Sequence, residues 1–191
     1  MKELKVNSKI ILDKLDSHSK IKDDLLKLIS QAPKNSLDFK DEYYDDHIDK
    51  LDYKDSVCND RKWVKVLLPY IHNHFQKCAI KLGYEACHVN DLWFQQYIKG
   101  DLHGWHIHGH NYTGVYYLEF PKKSPLTELI DPSNLSKRFT IPAEEGDIVI
   151  FPSFVIHRSG RVLENIRKTI VSFNITFDKI NNNALEILSN E

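Results

Sequence analysis

The chain has 191 residues, a formal net charge of −1, 41% hydrophobic and 28% charged residues. That is enough for one domain with a substantial core, and the balance is ordinary for a soluble globular protein. The near-neutral charge offers no attraction for nucleic acid or an anionic membrane, and no apolar run approaches the roughly 18 residues of a membrane span.

The N-terminal stretch MKELKVNSKIILDKLDSHSK lacks the uninterrupted apolar segment and small-residue cleavage site of a signal peptide. A cytoplasmic location is therefore expected. In IKDDLLKLIS, residues 21 to 30, Ile21, Leu25, Leu26 and Ile29 recur at helical intervals and predict a short amphipathic helix. QAPKNS reads as a loop. DEYYDDHIDKLDYKD, residues 41 to 55, is acidic with interspersed tyrosines and reads as a solvated loop or edge. RKWVKVLLPYIHNHFQKCAIKLGY, residues 61 to 84, carries an apolar stripe from Trp63 to Leu82, with Gly83 placed where a helix ends. Pro69 either kinks this helix or starts it afresh. His72 and His74 lie two apart on it, so they point to different faces and do not share a metal. Cys58, Cys78 and Cys87 match no zinc spacing and are expected to be reduced cysteines in or near the core.

From residue 88 the pattern turns to strands. DLWFQQYI, WHIH, TGVYYLEF, RFTIPA, DIVIFPS and RKTIVSFNITF are short, rich in β-branched and aromatic residues, and separated by turns such as KGD, EEGD and RSGR. Helices followed by many short strands predict an α+β or mainly β chain, helices packed on an antiparallel sandwich or barrel. A single domain is expected over 1–191: a helical N-terminal part (1–87), a β core (88–179) and a C-terminal tail (180–191).

The chemistry concentrates in residues 96 to 121, where His103, His106, His108 and His110 fall within eight residues. In an extended WHIH segment, residues two apart share a face, so His106 and His108 aim into one space. His157 ends a second strand-like run, and two strand ends meet at the mouth of a small barrel. Three imidazoles with open positions beside them make a catalytic site and not a closed structural one. Imidazole alone does not choose among iron, zinc, copper, nickel and manganese. Ten residues after His157 stands Arg167, a planar fork suited to a carboxylate, and Tyr117 offers a hydroxyl to the same anion.

These residues resemble the iron(II)- and 2-oxoglutarate-dependent oxygenases, on the prolyl 4-hydroxylase side of that superfamily. The likeness extends to short oxygenase-like proteins of marine phages and bacteria. Tyr97, Gly100 and His106 follow the family's spacing, as do Tyr117 in GVYYLEF, His157 after GDIVIFPSFVI, and Arg167. The resemblance spans roughly residues 88 to 179. It implies a double-stranded β-helix (a jelly-roll, cupin-like barrel) and a dioxygenase holding Fe(II). On that likeness the metal ligands are His106, His108 and His157, and Arg167, Tyr117, Tyr97 and Thr169 hold 2-oxoglutarate as co-substrate. It further implies oxidative decarboxylation to succinate and carbon dioxide, coupled to hydroxylation of a substrate. One departure stands out: the family places Asp or Glu where this chain has His108. Either His108 is the third ligand, or His110, His103, Asp101 or a water takes that place, or the chain uses another metal or is inactive. His108 is not small, which disfavours a halide site. The rivals are a three-histidine cupin-type dioxygenase or isomerase that uses no 2-oxoglutarate, and a non-catalytic metal- or ligand-binding barrel. The expected partners are dioxygen and a small-molecule or protein side-chain substrate, with no membrane and no nucleic acid. The substrate and the oligomeric state, including dimerisation through the N-terminal helices, stay open.

Overall fold

The structure is a computed structural model that describes residues 8–184. Eleven strands form two antiparallel sheets. The larger has the order β1 (Ile11–Lys14), β9 (Asp147–Pro152), β6 (Tyr112–Glu119), β11 (Lys168–Ile180), β4 (Tyr84–Tyr97), β3 (Asp45–Leu51), β2 (Asn35–Lys40). The smaller has the order β5 (His103–His106), β10 (His157–Ser159), β7 (Thr127–Asp131), β8 (Asn134–Thr140). Four strands of the larger sheet, β9, β6, β11 and β4, face the smaller one as a double-stranded β-helix. β1, β3 and β2 extend the larger sheet at its two edges.

Side-chain alternation divides the interior into two cores. Leu92 and Phe94 of β4, Tyr116 and Leu118 of β6, and Val171 and Phe173 of β11 point outward from the barrel. There they meet α1 (His18–Gln31), through Ile21, Leu25 and Ile29, and α2 (Lys62–Lys81), through Trp63, Leu67, Ile71 and Phe75. The opposite face of the same strands, with Tyr97, Val115, Tyr117 and Ile170, forms a second core between the sheets. β11 and β4 pair from Lys168 opposite Tyr97 to Ile180 opposite Tyr84, with one register shift between Asn174 and Ile175. This ladder fixes which residues of both strands face the barrel interior. At Gly114 a Cβ would lie 2.0 Å from the Val149 carbonyl oxygen, so the β6–β9 approach requires glycine there.

The N-terminal part is not only helical. β3 takes up the middle of the acidic 41–55 stretch, hairpinned to β2, and pairs with β4 at Lys50–Gln96 and Leu51–Gln95. Asp52, just beyond β3, is 5% exposed. Its carboxylate accepts from Arg61 Nη1 (2.5 Å), Trp63 Nε1 (2.8 Å) and the Phe94 amide (2.9 Å), tying α2 to the sheet. α2 runs unbroken through Pro69, and Gly83 follows it at φ 88°. His72 is exposed and His74 buried. Cys78 and Cys87 are buried and Cys58 exposed, all three unpaired. Among the described residues no helix is long and apolar enough to cross a membrane.

Candidate metal centre

Local structure around the histidines differs from a simple extended WHIH. β5 covers His103–His106 and stops there. The chain leaves the strand at Ile107, and His108 is held in the following loop by its amide, which donates to the Ser153 carbonyl (3.1 Å). His157 opens β10 and does not close β9, because a turn at residues 153 to 156 separates the two strands. His157 is the register partner of His106. The three rings therefore converge from a strand end, a loop and a neighbouring strand start, and one ligand nitrogen from each of His106, His108 and His157 lies within 4.8 Å of the others.

The tautomers follow from the backbone. His106 Nδ1 lies 2.7 Å from the Gly104 carbonyl and His157 Nδ1 2.9 Å from the Val155 carbonyl. A carbonyl only accepts, so each Nδ1 carries the proton and donates it, leaving each Nε2 lone pair free for a metal. Burial drives all three rings toward the neutral form. It pushes His157 well below the usual imidazole value, His106 below it, and His108 down to about 4, where the neighbouring His106 adds to the effect. Neutral imidazoles, His157 buried and His106 and His108 half-buried, with His106 and His157 oriented by backbone carbonyls, form a fitting donor set for a divalent transition metal.

The other candidates for third ligand are engaged elsewhere. The His103 ring stacks on His106 at 3.9 Å. Ser172 donates to Gln95 Oε1, which leaves the Gln95 amide nitrogen facing His103 Nδ1 at 3.4 Å, while His103 Nε2 looks toward Asp46 at 3.8 Å. Asp101 accepts from the Ile98 and Asp49 amides and caps a turn. His110, at φ 62°, stands beside Asp91.

Arg167 and Thr169 are not part of this space. Arg167 makes a two-pronged ion pair with Glu119, Nε to Oε2 at 2.8 Å and Nη2 to Oε1 at 2.9 Å, and its side chain is 49% exposed. Thr169 donates to the same Glu119 and accepts from Gln96. Thr169 lies on the side of β11 that carries Val171 and Phe173, away from the barrel interior, and Arg167, just before the strand, reaches the same Glu119. The cation that enters the barrel is the next residue, Lys168, which is fully buried. Its Nζ donates to Ser159 Oγ (2.8 Å) and the Pro125 carbonyl (3.0 Å) and sits 5.2 Å from the Tyr97 ring centre. Burial alone lowers this amine to about 7, and among the described residues no carboxylate opposes the effect. Tyr97 is fully buried, and its hydroxyl lies near Ser159 without a hydrogen bond of good geometry. The Tyr117 hydroxyl pairs with Thr127 Oγ1 at 2.7 Å, and Thr127 is the register partner of Ser159. This end of the barrel interior thus gathers the Lys168 amine with the Tyr97, Ser159, Tyr117 and Thr127 hydroxyls, next to a small cavity of about 20 Å³ whose lining includes the three histidines, Tyr97, Thr127 and Ser159.

Sequence reasoning missed Lys168, Trp93, Gln95 and Ser172. The signal was present in the alternation of β11, where Val171, Phe173 and Ile175 mark the apolar outer face and Lys168, Ile170 and Ser172 the inner one.

No protein-family description and no curated relative matches the chain. The fold is shared with many solved structures. A 2OG-Fe(II) oxygenase family oxidoreductase from Burkholderia pseudomallei aligns over 91% of this chain and 87% of its own, at 11% identity and a TM-score of 0.62. The viral collagen prolyl hydroxylase of Paramecium Bursaria Chlorella virus-1, solved as a 2OG complex, aligns over 90% and 96%, at 15% identity and a TM-score of 0.59. HygX from Streptomyces hygroscopicus, solved with nickel and 2-oxoglutarate, aligns over 88% and 83%, at 8% identity and a TM-score of 0.61. The chain therefore has the double-stranded β-helix fold of 2-oxoglutarate oxygenases, prolyl hydroxylases among them.

Proposed function

We propose that this protein is an Fe(II)- and 2-oxoglutarate-dependent dioxygenase that hydroxylates its substrate, with His106, His108 and His157 as the metal ligands. The observation that carries the reading is a neutral, three-imidazole cluster on a cavity also lined by Ser159 and Tyr97, with the buried Lys168 amine directly against those two residues and paired with no carboxylate among the described residues. A metal-binding barrel without an acidic co-substrate has no use for that amine, whose burial costs stability.

Each residue then has a task. The Gly104 and Val155 carbonyls hold His106 and His157 with their Nε2 atoms turned to the metal. Lys168 Nζ, with one N–H uncommitted, takes the distal carboxylate of 2-oxoglutarate, and the Tyr97 hydroxyl supplies a second donor. Thr127, bonded to Tyr117, is the strand partner of Ser159, and Ser159 in turn accepts from Lys168 and positions it. Once bound, iron with 2-oxoglutarate and dioxygen supplies oxidative decarboxylation to succinate and carbon dioxide coupled to C–H oxidation. Leu129, Phe151 and Val155 exclude water around the cluster. His108 in place of a carboxylate leaves the loaded site one unit more positive and favours the dianionic co-substrate.

A three-imidazole set is also what a cupin-type dioxygenase without 2-oxoglutarate would use, so the metal alone does not separate the readings. The deciding experiment is to add Fe(II) and 2-oxoglutarate to the metal-free protein without oxygen and record the visible charge-transfer band of their chelate. A band is the expected result. Iron binding with no band would shift the assignment to the three-histidine dioxygenase.

A further inference from the structure

The geometry points to an organic cation, an ammonium or guanidinium, as the substrate, with its charged head on Asp91 and its ring contacts from Trp93 and Tyr53. This rests on the oxygenase reading for its chemistry, but the shelf itself is described by its own side chains. Asp91 and Trp93 are two apart on β4 with no register shift between them, so both face the barrel interior. Trp93 is 3% exposed, and its ring lies 5.7 Å from that of His108. Asp91 therefore stands one residue pair further toward the mouth than a wall of the candidate metal centre.

The Asp91 carboxylate is half-buried, with a side chain 17% exposed. Its protein partners are Ser56 Oγ, donating to Oδ1 at 3.0 Å, and Asn174 Nδ2, donating to Oδ2 at 2.9 Å. Both are neutral. Among the described residues the chargeable group within 4 Å is His110, at 3.4 Å and 36% exposed at the rim; no Lys or Arg reaches it. A carboxylate this enclosed gains most from a permanent positive charge.

The neighbouring amide sharpens the choice. Because Asn174 Nδ2 faces a carboxylate, its orientation is fixed, and Oδ1 is the atom turned away. That oxygen is buried and has no hydrogen-bond donor. The exposed polar group of the shelf, the Asp91 carboxylate, only accepts, and an ammonium or guanidinium carries donors and no acceptor. An alcohol or a carboxylate matches it less well or opposes it. The aromatic side of the shelf fits the same ligand: Tyr53 meets Trp93 edge-to-face at 5.1 Å, and the residue is 55% exposed. A cation on Asp91 would lie against these ring faces. Carbons near the charged head would then lie beside His108, where oxidation takes place.

The test compares n-butylammonium, n-butanol and butyrate as probes. Each is added to the metal-free full chain and its binding is read by saturation-transfer NMR. The proposal expects the strongest transfer to butylammonium. It expects a loss of about fivefold or more in affinity for Asp91→Asn and for Tyr53→Ala, the scale of ~1 kcal/mol. Tyr53 is largely exposed, so its variant decides the matter where Asp91→Asn proves unstable by circular dichroism. Equal transfer to butanol or butyrate, or unchanged butylammonium binding in both variants, overturns the proposal, including the case in which a water alone satisfies Asn174. The anaerobic charge-transfer band is recorded on the same preparations. A band without ammonium selectivity overturns the cation shelf and leaves the oxygenase reading. Selectivity without a band supports the shelf and removes the oxygenase reading.

Discussion

Replacing Lys168 by methionine separates the proposed co-substrate role of this amine from its effect on folding, because the two change in opposite directions. Lys168 is fully buried and its amine is lowered from 10.5 to about 7. The unfolded chain therefore binds this proton more tightly than the folded one, and stability rises with pH between about 7 and 10.5. At pH 7 the burial costs about 4 kcal/mol relative to a neutral side chain. Methionine removes that cost and leaves Ser159 Oγ and the Pro125 carbonyl without their donor, a loss of about 1–3 kcal/mol. The ligand-free variant is thus expected to be more stable by about 1–3 kcal/mol, a Tm rise of roughly 2–12 °C for a chain of this size. Binding of 2-oxoglutarate moves the other way. A buried carboxylate stripped of its cation loses about 2–5 kcal/mol, roughly 30-fold to several thousandfold in Kd. Arg167→Ala serves as the comparison. Its exposed pair with Glu119 contributes up to about 1 kcal/mol to stability, and its loss should leave 2-oxoglutarate binding unchanged. Calorimetric titration of 2-oxoglutarate into the protein loaded with Fe(II) anaerobically reads both variants, and thermal unfolding reads the apo forms. Wild-type affinity in Lys168→Met, or lost affinity in Arg167→Ala, refutes the assignment of the clamp.

Removing one imidazole should remove the metal. His157→Ala is expected to lose at least about 100-fold in affinity for Fe(II) or Ni(II), beyond the 10–100-fold typical of changes around a ligand, and with it the thermal stabilisation that the metal gives wild type; equilibrium dialysis with metal analysis checks this. Because burial lowers His106, His108 and His157, with His108 at about 4, protons compete with metal only well below the ordinary 6.5. Ni(II) binding should therefore hold to about pH 5, and a midpoint near 6.5 would contradict the buried neutral cluster. The same lowered values make the metal-free protein lose stability as pH falls from 6.5 toward 4, since the unfolded chain takes up protons that the folded one does not. Asp52→Ala leaves Arg61, Trp63 and the Phe94 amide without their shared acceptor and should cost about 3–5 kcal/mol in urea unfolding, with the metal centre intact in the folded fraction.

The fold class was legible because the barrel strands carry β-branched and aromatic residues between clear turns, and the two helices carry apolar stripes. The acidic 41–55 stretch was not legible as β3 and the Asp52 anchor. Its charges sit on an edge hairpin whose pairing with β4 depends on residues more than forty positions away. β7 and β10 were also hidden. They are five and three residues long, and strands that short give too little alternation to read.

The histidine cluster was readable from spacing, although the reason offered for it was incomplete. Two residues apart on a strand would have placed His106 and His108 on one face, yet the strand ends at His106. What brings His108 back is the loop, pinned by its amide to Ser153. The candidate anion clamp shows the opposite lesson. Spacing from His157 selects residue 167, and the residue there is an arginine, the side chain best suited to a carboxylate. Strand parity selects 168, because the faces of β11 alternate and the outer one is claimed by Val171, Phe173 and Ile175 for the helices. Parity is imposed by the pleat along the whole ladder with β4, and a side chain cannot cross it without a bulge. The register of that ladder is unbroken from Lys168 to Asn174. A count of ten residues carries no such constraint, since the turn after β10 can absorb one residue without disturbing either sheet. Where the two criteria disagree, the alternation decides which cation enters the barrel, and here it is the lysine.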